Sequence, residues 1–227
     1  MQVSDKGLIA LISHEGIVPG PYYDSVGVLT AYIGHTKAAG PPDPTTLPWG
    51  MPSDLDKAIK EAFRVFKQDI KKYEAEVIKA FKKPLTQNEF DAAVSFHYNT
   101  GKIHSAAWVR TFNSGNRAAA IEQIMNWTKP IEVTARRQAE QTLFSLGIYP
   151  KTSLTVWQVS PSRKVIWKPA KVLTTEEALK LLEDETPLSV KEGEKKTTTV
   201  TPTPTPTPAS VLPLILSSLF KFLGGRK

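Results

Sequence analysis

Glu15, Asp24 and Thr30 stand close together near the N-terminus, with eight residues between the first pair and five between the second. Each is ordinary alone: a Glu can end a solvated helix, and an Asp is most often a turn residue. Together they suit acid–base work. Leu8, Leu11, Ile12 and Glu15 recur at i, i+3, i+4 and i+7, so Glu15 shares the apolar stripe of a short helix. Desolvation there disfavours the ionised carboxyl, and the negative end of the helix pushes the same way. A carboxylic acid kept neutral in this manner can protonate a leaving oxygen. Asp24 sits in a polar turn beside Ser25 and Gly27, where a carboxylate stays charged. A carboxyl pair of this kind flanks the scissile bond in glycoside hydrolysis. Thr30 adds a hydroxyl that can help Asp24 hold water.

The elements that must position these residues follow from punctuation and period. Ser4 is a natural N-cap for a helix over 4–15, and Gly16 stops it. Residues 20–36 alternate strand formers with turn residues, and 37–52 hold five prolines and two glycines, which reads as a loop. Apolar residues from Leu55 to Phe81 keep a helical period, giving one long helix over 53–82. Thr86 and Glu89 form a capping box for a helix that runs to Gly101. Further helices are expected at 104–112, 117–127 and 134–146. Trp108, Trp127 and the aromatics of 53–82 read as core.

Three segments in order resemble one family, the phage-type (T4-like) lysozymes of glycoside hydrolase family 24. They are Glu15, Asp24 and Thr30 with GVLTAYIGHT at 27–36, then PLTQNEFDAAVSFHYNTG at 84–101, then ARRQAEQTLFSLG at 135–147. The resemblance covers about 8–148. It implies an α+β, mainly helical, two-lobed lysozyme-like fold with a small β-sheet lobe. It also implies hydrolysis of the β-1,4 bond between N-acetylmuramic acid and N-acetylglucosamine in bacterial peptidoglycan, without a cofactor and with inversion. Glu15 would be the general acid, and Asp24 and Thr30 would position the water. His35 would brace the β-turn region, and one of Arg136 and Arg137 would pair with Glu15. The chain departs from the family at Tyr32, where the family has a glycine, and in the long Pro-rich loop. Tyr32 is therefore expected to narrow the cleft or shift the hairpin.

The chain is long enough for this domain and more. Residues 1–150 form the expected catalytic domain. Apolar alternation in 151–173 and a capped apolar run at 174–183 predict a hairpin and helix within a 151–185 extension that packs on it. Residues 186–208, ending in TPTPTPTP, read as a semi-rigid linker. In 209–227, Leu212, Ile215, Leu216, Leu219, Phe222 and Leu223 share one helical face and Arg226-Lys227 end the chain. Such a tail either docks on its own domain or, as the spacer before it favours, lies on an anionic membrane surface. It is too short for a span of roughly 18–20 residues.

The net charge of +7 favours a polyanionic partner. Residues 1–150 carry 17 basic and 15 acidic side chains and the remainder 12 and 7, so the excess lies mostly outside the catalytic part. No nucleic-acid motif accompanies it, and peptidoglycan is the expected partner of a monomer. The absence of cysteine excludes disulfides, and His14, His35, His97 and His104 fit no compact metal-ligand spacing. The N-terminus lacks the basic and long apolar regions of a secretory leader. A host-cytoplasmic protein released to the wall through a holin-like pore is expected. Two alternatives remain: a lytic transglycosylase on the same bond, which needs one Glu only, and a membrane-active wall-binding protein with a degenerate catalytic domain.

Overall fold

A computed structural model describes residues 1–183. The linker at 186–208 and the tail at 209–227 lie outside the described residues.

Helix α1 (Asp5–Glu15) starts where Ser4 accepts from the Gly7 amide, and ends at Gly16, whose φ of 74° follows the last turn. Its far end is anchored by α4 (Gln87–Thr100). Asp91 of α4 accepts from the Ser4 amide and hydroxyl, the Gln87 amide and the Tyr149 hydroxyl. The two helices approach so closely that a Cβ on Gly7 would lie 2.5 Å from the Asp91 carboxyl. Burial, the largest influence on Asp91, raises its pKa against these hydrogen bonds.

The β lobe is a three-stranded antiparallel sheet, β1 (Val18–Tyr23), β2 (Leu29–Tyr32) and β3 (His35–Thr36), in that order. Thr30 pairs with Tyr22 on one side and Thr36 on the other. Two short 3₁₀ turns interrupt the Pro-rich loop. The expected long helix is two: α2 (Leu55–Asp69) and α3 (Lys71–Ala80). Ile70 between them keeps a right-handed conformation, but its amide reaches both Phe66 and Gln68 carbonyls, so the backbone tightens there. The hydrophobic period runs through this break undisturbed, which is why periodicity alone reads it as one helix.

α4 is buried along most of its length, from Glu89 to His97. Around it pack α5 (Ala107–Asn113), α6 (Arg117–Ile124) and α7 (Thr134–Leu146). Trp108 is buried among Phe81, Phe96 and Phe144, and Trp127 meets Phe96 edge-on.

After α7 the chain returns over α1. A hairpin, β4 (Ser153–Val159) and β5 (Val165–Thr174), forms a second, two-stranded sheet bridged to the residue before β1: the Ile17 amide donates to the Thr155 carbonyl and the Trp157 amide to the Ile17 carbonyl. Helix α8 (Thr175–Glu183) buries Ala178 and Leu182. Leu154, Val156, Leu173 and both α8 residues belong to the same core as Leu8 and Ile12 of α1. Residues 151–183 therefore share the core of the domain instead of forming a second one.

Candidate active site

Glu15 is the last residue of α1 and is 3% exposed. Its Oε1 accepts from Arg136 Nη1 at 2.6 Å. Of the two arginines expected near it, Arg136 supplies this contact. Arg136 also donates through Nε to Glu140 at 3.0 Å and through Nη2 to the Ser95 carbonyl at 3.1 Å. Ser95 in turn donates to Glu140 at 2.7 Å. Arg137 lies 2.8 Å from Glu140, donates to Asn99 at 2.6 Å and stacks over Phe96. Two glutamates and two arginines thus share one almost fully buried cluster. For Arg136, burial is the largest influence and works against its charge, but Glu15 and Glu140 outweigh it and raise its pKa. Burial dominates for Arg137 and lowers its pKa to about 10.

His14 precedes Glu15. Its burial, followed by the charges of Arg136 and Arg137, lowers its pKa to about 3. It is therefore a neutral neighbour of the pair at ordinary pH.

Asp24 is held quite differently. It lies in the β1–β2 turn, where its Oδ1 accepts from the Val26 and Val28 amides at 2.9 and 2.8 Å. Its own amide donates to the Val28 carbonyl. Its Oδ2 is buried and has no protein hydrogen-bond partner. The Thr30 hydroxyl donates to that same Val28 carbonyl at 3.1 Å and is fully buried. One peptide unit therefore ties Asp24 to Thr30. Tyr22 is buried in β1, and burial first, then the charge of Asp24, then that of Glu15, push its hydroxyl above the ordinary tyrosine range.

His35 is buried with Nδ1 2.7 Å from Asp69 and Nε2 2.8 Å from the Pro42 carbonyl. It clips β3 to the end of α2 and to the Pro-rich loop. Burial, the largest influence, lowers its pKa, but the Asp69 hydrogen bond and charge, with the Pro42 and Gly40 carbonyls, raise it overall.

Tyr32 does not narrow a cleft. Its ring is 6% exposed within the main hydrophobic core. Its φ of 59° is the left-handed conformation that favours glycine, and a tyrosine holds it at a cost of about 1–2 kcal/mol. Ring burial offsets that strain, and the β2–β3 turn still forms.

Among the described residues no group of three or more His, Cys, Asp or Glu is placed to hold a metal, and no helix is long and apolar enough to cross a membrane.

The phage lysozyme family model matches residues 12–140, more than half of the sequence. The chain belongs to the phage lysozyme family. That membership makes it a hydrolase of the muramidase type. It is similar to the endolysin of Salmonella phage P22, at 31% identity over 63% of this chain and 98% of that one. Among solved structures, an endolysin from Escherichia coli O157:H7 phage FAHEc1 superposes with a TM-score of 0.56 at 31% identity, covering 66% of this chain and 98% of that one. A mutant of P22 lysozyme gives 0.54 at 28% identity, over 63% and 98%. The family match ends before β4, so the β4–β5 hairpin and α8 lie outside it.

Several contributors were not evident from spacing. Glu140 was legible in principle, four residues after Arg136 and within the resembling segment. Ser95 and Asn99 carry no such signal, because they meet the partners of Glu15 only after the chain folds.

Proposed function

We propose that this phage lysozyme hydrolyses the β-1,4 bond between N-acetylmuramic acid and N-acetylglucosamine in bacterial peptidoglycan. Glu15 is the general acid, protonating the leaving oxygen. Asp24, with Thr30, orients the attacking water, and inversion follows because that water displaces the protonated leaving group directly from the opposite face of the anomeric carbon. The observation that carries this reading is the contrast between the carboxyls. One oxygen of Glu15 is committed to Arg136 in a dry pocket, whereas Oδ2 of Asp24 is unpartnered beside a polar turn. Burial first, and then the charges of Asp24 and Glu15, raise the pKa of the Tyr22 hydroxyl. Arg136 is the positioning residue that holds Glu15 at the helix end and receives it again as a carboxylate once its proton has gone.

The test is turbidity loss of purified peptidoglycan, with product analysis by mass spectrometry. Glu15→Gln is expected to lose about 10³-fold or more in rate at unchanged circular dichroism. Asp24→Asn is expected to lose about 10²-fold. Equal activity in Glu15→Gln would remove it from the role of acid, and anhydro-muramyl ends would replace hydrolysis by transglycosylation.

Peptidoglycan is the proposed partner of a monomer that accumulates in the host cytoplasm and reaches the wall through a holin-like pore. Residues 209–227 are proposed to bind an anionic membrane surface. Co-sedimentation with phosphatidylglycerol vesicles is expected for the full chain and lost on stopping at 208; binding that survives the truncation would overturn the assignment.

A further inference from the structure

The tip of the β4–β5 hairpin builds an aromatic–cationic step beside the Asp24 turn. Arg163, in the tip, adopts a φ of 59°, and its carbonyl accepts from the Tyr23 amide at 3.0 Å. Its guanidinium lies 3.5 Å from the centre of the Trp49 ring and donates to the Tyr23 hydroxyl at 3.0 Å. Three distant stretches, β1, the Pro-rich loop and the hairpin, thus meet at one point. The Pro-rich loop is seated there by its neighbours, since a Cβ on Gly20 would strike the Gly50 carbonyl and one on Gly50 would touch Pro161. Yet the rings at this point are not buried: Trp49 is 58% exposed and Tyr23 49%.

A large aromatic that is held in place but left half in water fits a ligand better than a core. Arg163 covers one side of the Trp49 indole and leaves most of the residue accessible. Sugar rings present C–H faces that pack on such a surface, while guanidinium and ammonium groups, here Arg163 and the exposed Lys164, suit hydroxyls and the carboxylates of lactyl-linked peptides. Tyr23 immediately precedes Asp24, so a strand seated at the candidate site has its next sugars within reach of this step.

We propose that Trp49, Tyr23 and Arg163 form an additional peptidoglycan-binding subsite that extends the cleft beyond the Asp24 turn. Arg163 comes from a segment beyond the family match, so the subsite adds to the part of the domain that the match covers. The ligand assignment rests on the muramidase reading above; the geometry of the step does not.

The test uses the full chain carrying Glu15→Gln, so that substrate is bound but not consumed. Co-sedimentation with insoluble purified peptidoglycan is expected to weaken about tenfold in Trp49→Ala and in Arg163→Ala, and to be largely retained in Trp49→Phe. In the chain with Glu15 intact, the same alanine variants are expected to raise KM on polymeric wall with kcat changed by less than about twofold. Unchanged binding in both alanine variants overturns the subsite. So does a loss of binding that follows loss of melting temperature across the variants, which assigns the step to clipping the hairpin alone. A chain with intact wall binding but no lysis dependent on Glu15 would sink the enzymatic reading and leave the subsite standing.

Discussion

The helical and β sides of the candidate site hold their carboxylates by opposite means. Glu15 is fixed by partners far along the chain: Arg136 is separated from it by 121 positions, and Arg136 is itself tied to Ser95 and Glu140. Asp24 is fixed by the amides of its own turn, two and four residues away. The first arrangement is dry, charged and interdependent; the second is local and partly open. A buried ion-pair network holds geometry firmly but is costly to break, because each lost partner leaves an uncompensated charge. A local turn tolerates loss of charge and leaves the buried Oδ2 without a protein partner. The difference matches the division of labour proposed here, in which one carboxyl must be kept from water and the other must hold it.

The sharpest way to break this comparison is Arg136→Ala. It leaves Glu15 and Glu140 buried without their shared cation and is expected to destabilise the fold by about 3–5 kcal/mol in urea unfolding. Asp24→Asn is expected to cost within about 1 kcal/mol, since the amide oxygen still accepts from the Val26 and Val28 amides. Similar costs for the two variants would mean that the contrast in anchoring has no energetic content.

A smaller effect separates the two sides by pH. His14, beside the arginine pair, has its pKa lowered to about 3, and His97 on α4 to about 4 through burial, the opposing charges of His104 and Glu76 being secondary. Unfolded histidines take up protons below about pH 6.5, whereas these two in the fold do not, so stability falls as pH drops through that region. Each is expected to remove up to about 2 kcal/mol by pH 5. His35 runs the other way: its raised pKa adds stability that is present below about pH 6.5 and lost as pH rises through its folded value. Thermal melting between pH 8 and 5 is expected to fall less steeply in His14→Gln than in the parent. An unchanged slope would show that His14 accepts its proton in the folded chain.

Much of this was legible beforehand because it depends on neighbours in sequence. The cap at Ser4, the stop at Gly16, the box at Thr86 and Glu89 and the turn at Asp24 all rest on hydrogen bonds within a few residues. Periodicity located the helices, and Trp108 lies in the core as its helical pattern suggests. What periodicity missed is equally specific. It carried one helix across Ile70, because side-chain spacing does not sense a tightened backbone. The resemblance, which expected Tyr32 to narrow the cleft or shift the hairpin, did not show that the ring turns into the core while the backbone takes a positive φ.

The sequence by itself determined the order of the elements, the spacing of Glu15, Asp24 and Thr30, and the family to which the chain belongs. Only the tertiary structure decided that Arg136 takes Glu15 while Arg137 turns to Asn99, and that a hairpin from the far end sets Arg163 against Trp49 and Tyr23. The physical reason is range. Caps, turns and helical stripes are settled by contacts a few residues apart, and composition records them. Pairing across tens of residues is settled by which surfaces the core brings together, and no spacing in the chain encodes that distance.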